Sequence, residues 1–425
     1  MGFLEELEWR GMLFDKTPGA ELQLKEGPQI AYIGFDPTAP SMTIGNYVQV
    51  MLLKLWQLAG HTPIVLMGGA TGRIGDPSGK DQERQLKSFE ELDSNLQRQI
   101  DQVKKFLDFD EGPNKALIIN NLEFYKEMNV LDFLRNIGKT LTVNYMMSKD
   151  SVKNRLETGL SFTEFSYQLL QAYDFQHLYE SVGCRFQMGG SDQWGNITSG
   201  TEFIRKNLTD AKAFAITTPL LTKADGKKFG KSEEGNIWMS SELTSSYKFY
   251  QFWLNIDDAD LPSFTRYFTL KSKDEVEALE AEHADNPNAL KKILSEELTR
   301  RVHSDEAFEA AQKVSELLFN KKATQELLFS MPEDALEIIS EEIPSYKVNK
   351  SVVAGKSSLL EFISEQCPIV ASKGEAKRAI KNNAISVNKE KVTSDDFTIT
   401  SDHLLKGKYV LIENGKKNKY MVLAE

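Results

Sequence analysis

The stretch that sets the fold is QIAYIGFDPT, residues 29–38, in which an apolar run ends in a polar turn. Its apolar part predicts a buried strand over residues 29–35, and the pattern of residues 45–58 predicts a helix. Three further apolar runs predict strands, at residues 63–67, 115–119 and 185–188. Strands that alternate with helices are typical of a parallel sheet covered on both faces. We therefore predict an α/β fold for the first half of the chain.

Polar turns follow the predicted strands, at residues 34–38, 68–72 and 189–193. In a parallel sheet the carboxyl ends of the strands lie at one edge, and ligands bind there. We therefore expect the three turns to converge on a single site. The third turn reads Gly-Gly-Ser-Asp-Gln, which lacks the Gly-x-Ser-x-Gly spacing of a hydrolase nucleophile.

The composition is that of a folded protein, with 40% hydrophobic and 27% charged residues. The net charge is −11, but residues 355–425 hold 12 Lys and Arg against 9 Asp and Glu, which favours phosphate binding on a basic tail. The first ten residues contain three glutamates and no apolar run, so we expect no signal peptide and a cytoplasmic protein. The apolar stretch 48–58 is too short to span a membrane. Two distant cysteines and five histidines without metal-ligand spacing predict neither a disulfide framework nor a metal site.

A polar stripe is predicted on one helix face. Tyr167, Gln171 and Asp174 stand at positions i, i+4 and i+7, which share one side of a helix. A stripe that faces solvent is the simple alternative, but the flanking residues are apolar, so burial is expected. Buried polar groups need partners, and a polar ligand would supply them.

Two glycine-containing loops carry cations. The loop at residues 75–80 fails the P-loop pattern, because three residues rather than four separate its glycines and Asp81 replaces the Ser or Thr that binds magnesium. It remains able to carry Lys80 and Arg84 towards phosphates, with an ordinary solvated turn as the alternative. The loop at residues 223–232 has four lysines, which repel each other unless an anion is near. A solvated run of charge is the alternative there.

The second half of the chain has a helical pattern over residues 244–320, with a capping box at residues 272–275. The pattern weakens in residues 336–354, where we expect a linker. Residues 355–425 predict a small α+β module. That module would contain a lysine-rich helix and a hairpin, at residues 375–382 and 409–423.

Together these motifs are similar to those of the class I aminoacyl-tRNA synthetases, whose signature sequences HIGH and KMSKS lie in the ATP site. Residues 228–232, KFGKS, match the second signature in the form found in bacterial tyrosyl enzymes. Residues 43–46, TIGN, stand where the first signature belongs. The likeness to bacterial tyrosyl-tRNA synthetases covers nearly the whole chain. The segments that carry it are residues 34–38, 68–72, 143–147, 162–167 and 191–196.

The resemblance implies a Rossmann-like catalytic domain, then a helical domain that contacts tRNA, then a small α+β RNA-binding domain. The expected bounds are 1–222 for the catalytic domain, 223–335 for the signature loop and helical domain, 336–354 for the linker, and 355–425 for the RNA-binding domain. It implies a ligase that activates tyrosine with ATP to tyrosyl adenylate, releases pyrophosphate, and transfers tyrosine to the 3′ end of tRNA(Tyr). ATP with Mg²⁺ would be a substrate, no tightly bound cofactor is expected, and the family is homodimeric.

The resemblance also implies roles for individual residues. The expected tyrosine-binding residues are Tyr32 and Asp174 at the phenol, Asp76, Tyr167 and Gln171 at the ammonium group, and Gln193 beside the substrate. The expected ATP-binding residues are Gly34, Asp36, Thr43, Gly45, Asn46, Asp192 and Lys231. The residues expected to act on the phosphates during catalysis are Thr38, Thr43, Lys80, Arg84, Lys228, Lys231 and Ser232.

One departure from the family concerns the first signature, which usually has histidine at both ends. Thr43 and Asn46 occupy those places, and both can donate hydrogen bonds to phosphate or ribose although neither can be a cation. Two alternatives therefore stay open. One is a tryptophanyl-type enzyme, against which the polar stripe and Tyr32 argue. The other is an RNA-binding protein that has lost catalysis, against which the lysine loop argues.

Overall fold

The computed structural model describes the whole chain except residues 80–81, 83–84, 111, 156–158, 227–228, 233–234, 321 and 416–417, and except the side chains of Lys231 and Ser232. The chain forms two compact units. The first consists of Met1–Thr244 and Phe252–Leu298, and the second of Ser245–Gln251 and Thr299–Glu425. No described helix has the length and apolar content needed to cross a bilayer.

The first unit is built on a six-stranded sheet and a small two-stranded one. Its strands are β1 (Asp15–Lys16), β2 (Ile30–Phe35), β3 (Thr62–Met67), β4 (Leu117–Asn120), β5 (Phe186–Gly190), β6 (Phe214–Thr218), β7 (Lys231–Ser232) and β8 (Gly235–Asn236). The order in the large sheet is β1-β6-β5-β2-β3-β4, and β2 to β6 are parallel, which confirms the predicted parallel sheet. Strand β1 pairs antiparallel with β6. It was not predicted, because two residues carry no periodic signal.

Helices surround these strands and continue into the second unit. Their bounds are α1 (Phe3–Arg10), α2 (Ala20–Leu24), α3 (Ile44–Leu58), α4 (Phe89–Val103), α5 (Val130–Asp132), α6 (Val143–Met147), α7 (Asp150–Lys153), α8 (Phe162–Val182), α9 (Trp194–Asn207), α10 (Ser246–Leu254), α11 (Leu261–Phe268), α12 (Lys273–Glu282), α13 (Pro287–Val302), α14 (Asp305–Phe319), α15 (Gln325–Phe329), α16 (Glu333–Glu342), α17 (Lys350–Ala354), α18 (Leu359–Glu361) and α19 (Lys373–Lys381). Helix α3 packs on β2 and β3, and α9 packs on β5 and β6. The predicted capping box is present at the start of α12.

Helix α8 carries the whole polar stripe of Tyr167, Gln171 and Asp174. Ser161 begins it by accepting a hydrogen bond from the backbone N–H of Glu164, and Gly183 ends it in a left-handed conformation with φ of 72°. Phe175 and Leu178 pack from α8 onto Tyr32 and Ile64 of the sheet. The apolar residues of α8 therefore fix the rotation of the helix, and its polar residues are directed to the carboxyl ends of the strands.

The second unit contains a five-stranded sheet and a two-stranded one. The strands of the unit are β9 (Ser345–Val348), β10 (Ser357–Ser358), β11 (Ile385–Val387), β12 (Glu390–Lys391), β13 (Thr398–Ile399), β14 (Tyr409–Asn414) and β15 (Asn418–Ala424). The order in the larger sheet is β12-β11-β14-β15-β9, and β10 pairs with β13. Helix α19 and the hairpin β14–β15 correspond to the predicted helix and hairpin.

The expected linker at residues 336–354 is instead structured. It contains the end of α16, the strand β9 and the helix α17. Strand β9 pairs parallel with β15, the last strand of the chain, so its partner lies some seventy residues away in sequence. Sequence periodicity reports only local order and does not reveal such a pairing.

Candidate active site

A cavity of about 460 Å³ lies at the carboxyl ends of the parallel strands, where all three polar turns meet as predicted. The expected site residues that line it are Tyr32, Gly34, Asp36, Thr38, Thr43, Gly45, Asn46, Asp76, Tyr167, Gln171, Asp174, Asp192 and Gln193. Lys80, Arg84 and Lys228 lie outside the described residues. The backbone of Lys231 and Ser232 forms β7, and their side chains are not described.

One end of the cavity is built around Asp174, which is 1% exposed. Its Oδ2 accepts a hydrogen bond of 2.8 Å from the amide of Asn121, and its Oδ1 accepts one of 2.7 Å from the hydroxyl of Tyr125. Burial raises the pKa of Asp174 to about 7, against the opposing effect of these two donors. The hydroxyl of Tyr32, on β2, is buried and has no hydrogen-bond partner within the described structure. This end therefore offers a phenolic ligand an acceptor and an unsatisfied hydroxyl.

A chain of hydrogen bonds continues from Asp174 along the wall of the cavity. Asn121 also donates to the hydroxyl of Thr71 over 3.0 Å, and Thr71 donates to Asp36 over 2.7 Å. The hydroxyl of Tyr167 donates to the other oxygen of Asp36 over 2.9 Å. Gly68 is required behind this chain, because a Cβ there would lie 2.0 Å from the carboxylate of Asp36. The network holds Asp36 and Asp174 in fixed orientations.

The sequence interpretation missed Asn121 and Thr71 as members of this wall, and it missed Tyr125, which contacts Asp174 without lining the cavity. Thr71 belongs to one of the three polar turns, and Asn121 follows directly after β4, so both stand where polar groups at strand ends were expected to matter. Tyr125 had no comparable signal, because it follows a short 3-10 turn, Asn121–Phe124, that has no periodic pattern.

The middle of the cavity is organised by Asp76. Its Oδ2 accepts a hydrogen bond of 2.7 Å from Gln193, and its Oδ1 accepts one of 2.9 Å from the backbone N–H of Ser78. The side-chain oxygen of Gln171, on α8, is buried and has no hydrogen-bond partner within the described structure. A carboxylate and an unsatisfied amide oxygen that line the same cavity form a suitable site for a group with several N–H donors.

Thr43 and Asn46 are bound to each other at the start of α3. The hydroxyl of Thr43 donates to the side-chain oxygen of Asn46 over 2.8 Å, and the backbone N–H of each residue is paired with the side chain of the other. The hydroxyl proton of Thr43 is used inside this pair, so donation from Thr43 to a ligand would require this contact to break. The amide nitrogen of Asn46 remains for an acceptor in the cavity, beside the positive end of the helix dipole.

The backbone of the lysine loop is held against the start of α3. Gly230 has φ of 85°, and a Cβ there would lie 3.1 Å from Cγ1 of Ile44 and 3.3 Å from the backbone nitrogen of Gly45. The backbone N–H of Ile237 donates to the carbonyl of Gly230, and the N–H of Ile44 donates to the carbonyl of Ile237, each over 3.0 Å. Only glycine tolerates this conformation and this approach together.

Phe229 anchors the same loop on its other side. It is 7% exposed and packs against four aromatic rings, with ring-centroid distances of 4.7 to 6.0 Å. Those rings belong to Phe252, Trp253, Phe264 and Phe268. The two residues before Lys231 are therefore fixed, and Gly230 of the second sequence motif lies against Ile44 and Gly45 of the first.

Comparisons with known proteins identify the family of the chain. A family described as "tRNA synthetases class I (W and Y)" matches residues 24–320, and one described as "Tyrosine--tRNA ligase SYY-like C-terminal domain" matches residues 335–423. A tyrosine–tRNA ligase of Cytophaga hutchinsonii is 54% identical over 424 residues, which cover 99% of each chain. One of Bacteroides thetaiotaomicron is 49% identical over 432 residues, covering all of both chains.

Among solved structures, a C-terminally truncated mitochondrial tyrosyl-tRNA synthetase of Aspergillus nidulans superposes with a TM-score of 0.66. It is 28% identical in sequence, and the match covers 75% of this chain and 94% of that one.

Proposed function

The chain belongs to the class I tRNA synthetases of the tryptophan and tyrosine type, and from this premise we propose how its cavity carries out the reaction of a tyrosine–tRNA ligase. In that reaction tyrosine and ATP form tyrosyl adenylate and pyrophosphate, and tyrosine is then transferred to the 3′ end of tRNA(Tyr). The single observation that supports the assignment of the cavity best is the unsatisfied hydroxyl of Tyr32 beside the buried carboxylate of Asp174.

Recognition of the substrate phenol is assigned to Tyr32 and Asp174. The substrate O–H would donate to Asp174, and its oxygen would accept from Tyr32, which satisfies both protein groups. Phenylalanine would leave both of them unpaired in a buried site, and unpaired buried polar groups are costly. Tryptophan carries a single N–H donor and no acceptor, so it would leave the hydroxyl of Tyr32 unsatisfied.

Recognition of the substrate ammonium group is assigned to Asp76, Tyr167 and Gln171. An ammonium group has three N–H donors, and these residues supply a carboxylate, a phenolic oxygen and a buried amide oxygen. Gln193 donates to Asp76 and orients it. With phenol and ammonium both bound, the carboxylate of tyrosine would lie towards the start of α3.

Adenylate formation is assigned to the other end of the cavity. The carboxylate of tyrosine attacks the α-phosphate of ATP and expels pyrophosphate, and no covalent enzyme intermediate is required. The residues proposed to contact the nucleotide are Gly34, Asp36, Thr43, Gly45, Asn46, Asp192, Gln193 and Lys231. Those proposed to stabilise charge on the phosphates are Thr38, Thr43, Lys80, Arg84, Lys228, Lys231 and Ser232. Catalysis of this kind consists of positioning and of donors aimed at developing charge.

Magnesium is proposed to enter with ATP as part of the substrate. The described residues contain no group of three or more His, Cys, Asp or Glu side chains able to hold a metal ion. Mg²⁺ is commonly bound through nucleotide phosphates rather than by an all-protein cage, and this donor set fits that mode.

The direct test is exchange of labelled pyrophosphate into ATP, measured with tyrosine, tryptophan or no amino acid. Exchange that depends on tyrosine supports the proposal. Exchange that depends on tryptophan would favour the tryptophanyl alternative. No exchange with either amino acid, in a sample that still binds tRNA, would favour an RNA-binding protein that has lost catalysis.

We propose that the second unit binds tRNA(Tyr). We also propose that the protein acts in the cytoplasm, where tRNA is charged. We also propose that the functional domains are residues 1–222, 223–335 and 355–425. The two compact units of the structure divide the chain at other residues. On α19, Lys373 is tied to Glu361 and Glu365, at 2.7 and 3.2 Å, and Lys377 to Asp395 at 2.8 Å. Arg378 and Lys381 are exposed on the same helix and form no ion pair with a described residue. These last two cations are the best placed for phosphates.

Changing both Arg378 and Lys381 to alanine should weaken tRNA binding without altering pyrophosphate exchange. Removing one cation that binds a phosphate lowers the slope of log affinity against log salt by about 1, so the double variant should have a slope lower by about 2. Filter binding of tRNA(Tyr) across a salt series measures this slope. Lys373→Ala is the matched control, because its ammonium is already neutralised by two glutamates. A double variant with an unchanged slope would remove α19 from the RNA contact.

We propose that the protein is a homodimer, formed through an exposed apolar face of the first unit. The face consists of Val130, Leu131, Leu134, Val143, Met147 and Phe162, which are 38 to 73% exposed. The segments that carry them share one core beneath, built from Ile137, Leu141, Met146 and Leu169. Monomeric proteins rarely expose large contiguous apolar patches, and a second copy would cover this one.

Replacing Phe162 by aspartate should dissociate this dimer. Phe162 is 72% exposed, and a two-fold interface would lose its burial twice. The expected weakening of association is on the order of 10²–10³-fold, from about 2 kcal/mol for each phenylalanine. Sedimentation velocity at micromolar concentration measures it. Phe14→Asp is the control, since Phe14 is 59% exposed in the same unit but outside the face. Dimers that persist in the Phe162 variant would contradict the assignment of this face.

A further inference from the structure

Asp174 has two hydrogen-bond partners among the described residues: Asn121 lines the cavity, and Tyr125 does not. It follows the 3-10 turn Asn121–Phe124, and its hydroxyl points inward. The hydroxyl oxygen lies 2.7 Å from Oδ1 of Asp174 and 3.0 Å from the backbone carbonyl oxygen of Leu170, one turn earlier on α8. The side chain of Tyr125 therefore contacts Asp174 from outside the cavity.

The hydroxyl of Tyr125 has one proton and two acceptors. The contact with Asp174 is the shorter, and a bond to a carboxylate is stronger than one to a carbonyl, so the proton goes to Asp174. Asn121 donates to the other carboxylate oxygen over 2.8 Å. One short segment, residues 121–125, thus holds both oxygens of a carboxylate that lines the cavity together with Tyr32.

We propose that Tyr125 is a positioning residue for tyrosine selection: by donating to Asp174 from outside the cavity, it keeps that carboxylate ionised and aimed at the phenol of the substrate. This inference rests on the proposed function of Asp174. Tyr125 acts on the substrate only through Asp174, and the consequence is a pH dependence of kcat/KM for tyrosine.

The direction of that dependence follows from the surroundings of Asp174. The described ionisable groups that face it are Tyr32 and Asp36 from β2 and its end, Tyr125, and Tyr167 and Tyr173 on its own helix. Burial and the negative charge of Asp36 raise the pKa of Asp174, while the donors Asn121 and Tyr125 lower it. Without the Tyr125 donor the pKa rises above about 7, and more of the acid is protonated at neutral pH.

The experiment compares Tyr125→Phe with the parent in tyrosine-dependent pyrophosphate exchange from pH 6 to 9. The acid limb of kcat/KM for tyrosine reports the free enzyme. In the variant the acid limb should shift to higher pH by about one unit. On that limb kcat/KM should then be about tenfold lower than in the parent, and it should approach the parent value towards pH 9. The loss should lie in KM for tyrosine rather than in kcat. A superimposable profile, or a loss independent of pH, would overturn the proposal.

The control is Tyr267→Phe, which removes another phenol, one that donates to the backbone carbonyl of Gly11 over 2.7 Å, remote from Asp174. It should keep the parent profile. If Tyr125→Phe is too unstable for kinetics over the full pH range, calorimetry of tyrosine binding at pH 7 in buffers of different ionisation heat gives the same answer. The variant should release more protons per tyrosine than the parent, because a larger fraction of its Asp174 is protonated before tyrosine binds. Equal proton release would overturn the proposal.

Asp174→Asn separates this inference from the function on which it rests. If that variant still prefers tyrosine over phenylalanine as the parent does, the role of Asp174 fails and the inference with it. If it loses the preference while Tyr125→Phe behaves as the parent at every pH, only the role of Tyr125 fails.

Discussion

Replacing Asp174 by alanine is expected to remove most of the preference for tyrosine over phenylalanine. Sites built to hydrogen-bond a substrate hydroxyl reject the analogue that lacks it by ~10⁴–10⁵; tyrosyl-tRNA synthetases are themselves the standard example, so this figure comes from the family and not from this cavity. The physical reason is visible here: Asp174 is buried and bound on both oxygens, so it cannot turn away to find water when phenylalanine enters.

The measurement is the ratio of kcat/KM for tyrosine and phenylalanine in pyrophosphate exchange. Glu164→Gln serves as the matched control, because Glu164 is an equally buried carboxylate on the same helix that pairs with Arg155 over 2.8 Å. It does not line the cavity, so its loss should lower the melting temperature and leave the ratio unchanged. An unchanged ratio in Asp174→Ala would show that selectivity resides elsewhere.

Replacing Lys231 by alanine is expected to slow adenylate formation by ~10²–10³-fold while changing tyrosine affinity little. Two anchored residues precede Lys231. Phe229 lies in a cluster of aromatic rings, and Gly230 is so close to the start of α3 that a Cβ there would lie 3.3 Å from the backbone nitrogen of Gly45. Lys231 therefore begins at the positive end of α3, where the phosphates are proposed to bind. A cation there acts on charge that develops only in the transition state, so its loss should affect the rate rather than ground-state binding.

Rapid-mixing measurement of adenylate formation, together with equilibrium dialysis of tyrosine, separates these two effects. Lys223→Ala is the matched control, because it removes a lysine of the same loop whose ammonium lies 5.8 Å from the ring centroid of Phe252. Its rate should stay close to that of the parent. Equal losses of rate and tyrosine affinity in Lys231→Ala would contradict a role in the transition state.

Much of the site was predictable because it depends on local signals. Apolar runs located β2, β3, β4 and β5, and the carboxyl ends of parallel strands must meet at one edge, so the polar turns had to converge. Helical spacing placed Tyr167, Gln171 and Asp174 on one face of α8, which one cavity confirms. Their individual roles towards tyrosine stay predictions.

Other features had no local signal. The pairing of β9 with β15 joins segments far apart in sequence, which is why residues 336–354 resembled a linker. The hydrogen bond between Thr43 and Asn46 depends on side-chain rotamers at the start of a helix. The sequence showed only that both side chains can donate hydrogen bonds. Tyr125 has no distinguishing signal in the sequence, because the hydrogen bond from its hydroxyl to Asp174 joins two distant segments.

The sequence by itself determined the parallel sheet, the polar stripe of α8 and the two signature motifs, because periodicity and residue chemistry are properties of neighbours along the chain. Only the tertiary structure decided which donor reaches which oxygen of Asp174, Asp36 and Asp76. A hydrogen bond forms or fails within a few tenths of an ångström, and that precision arises from packing between segments that the chain order does not relate.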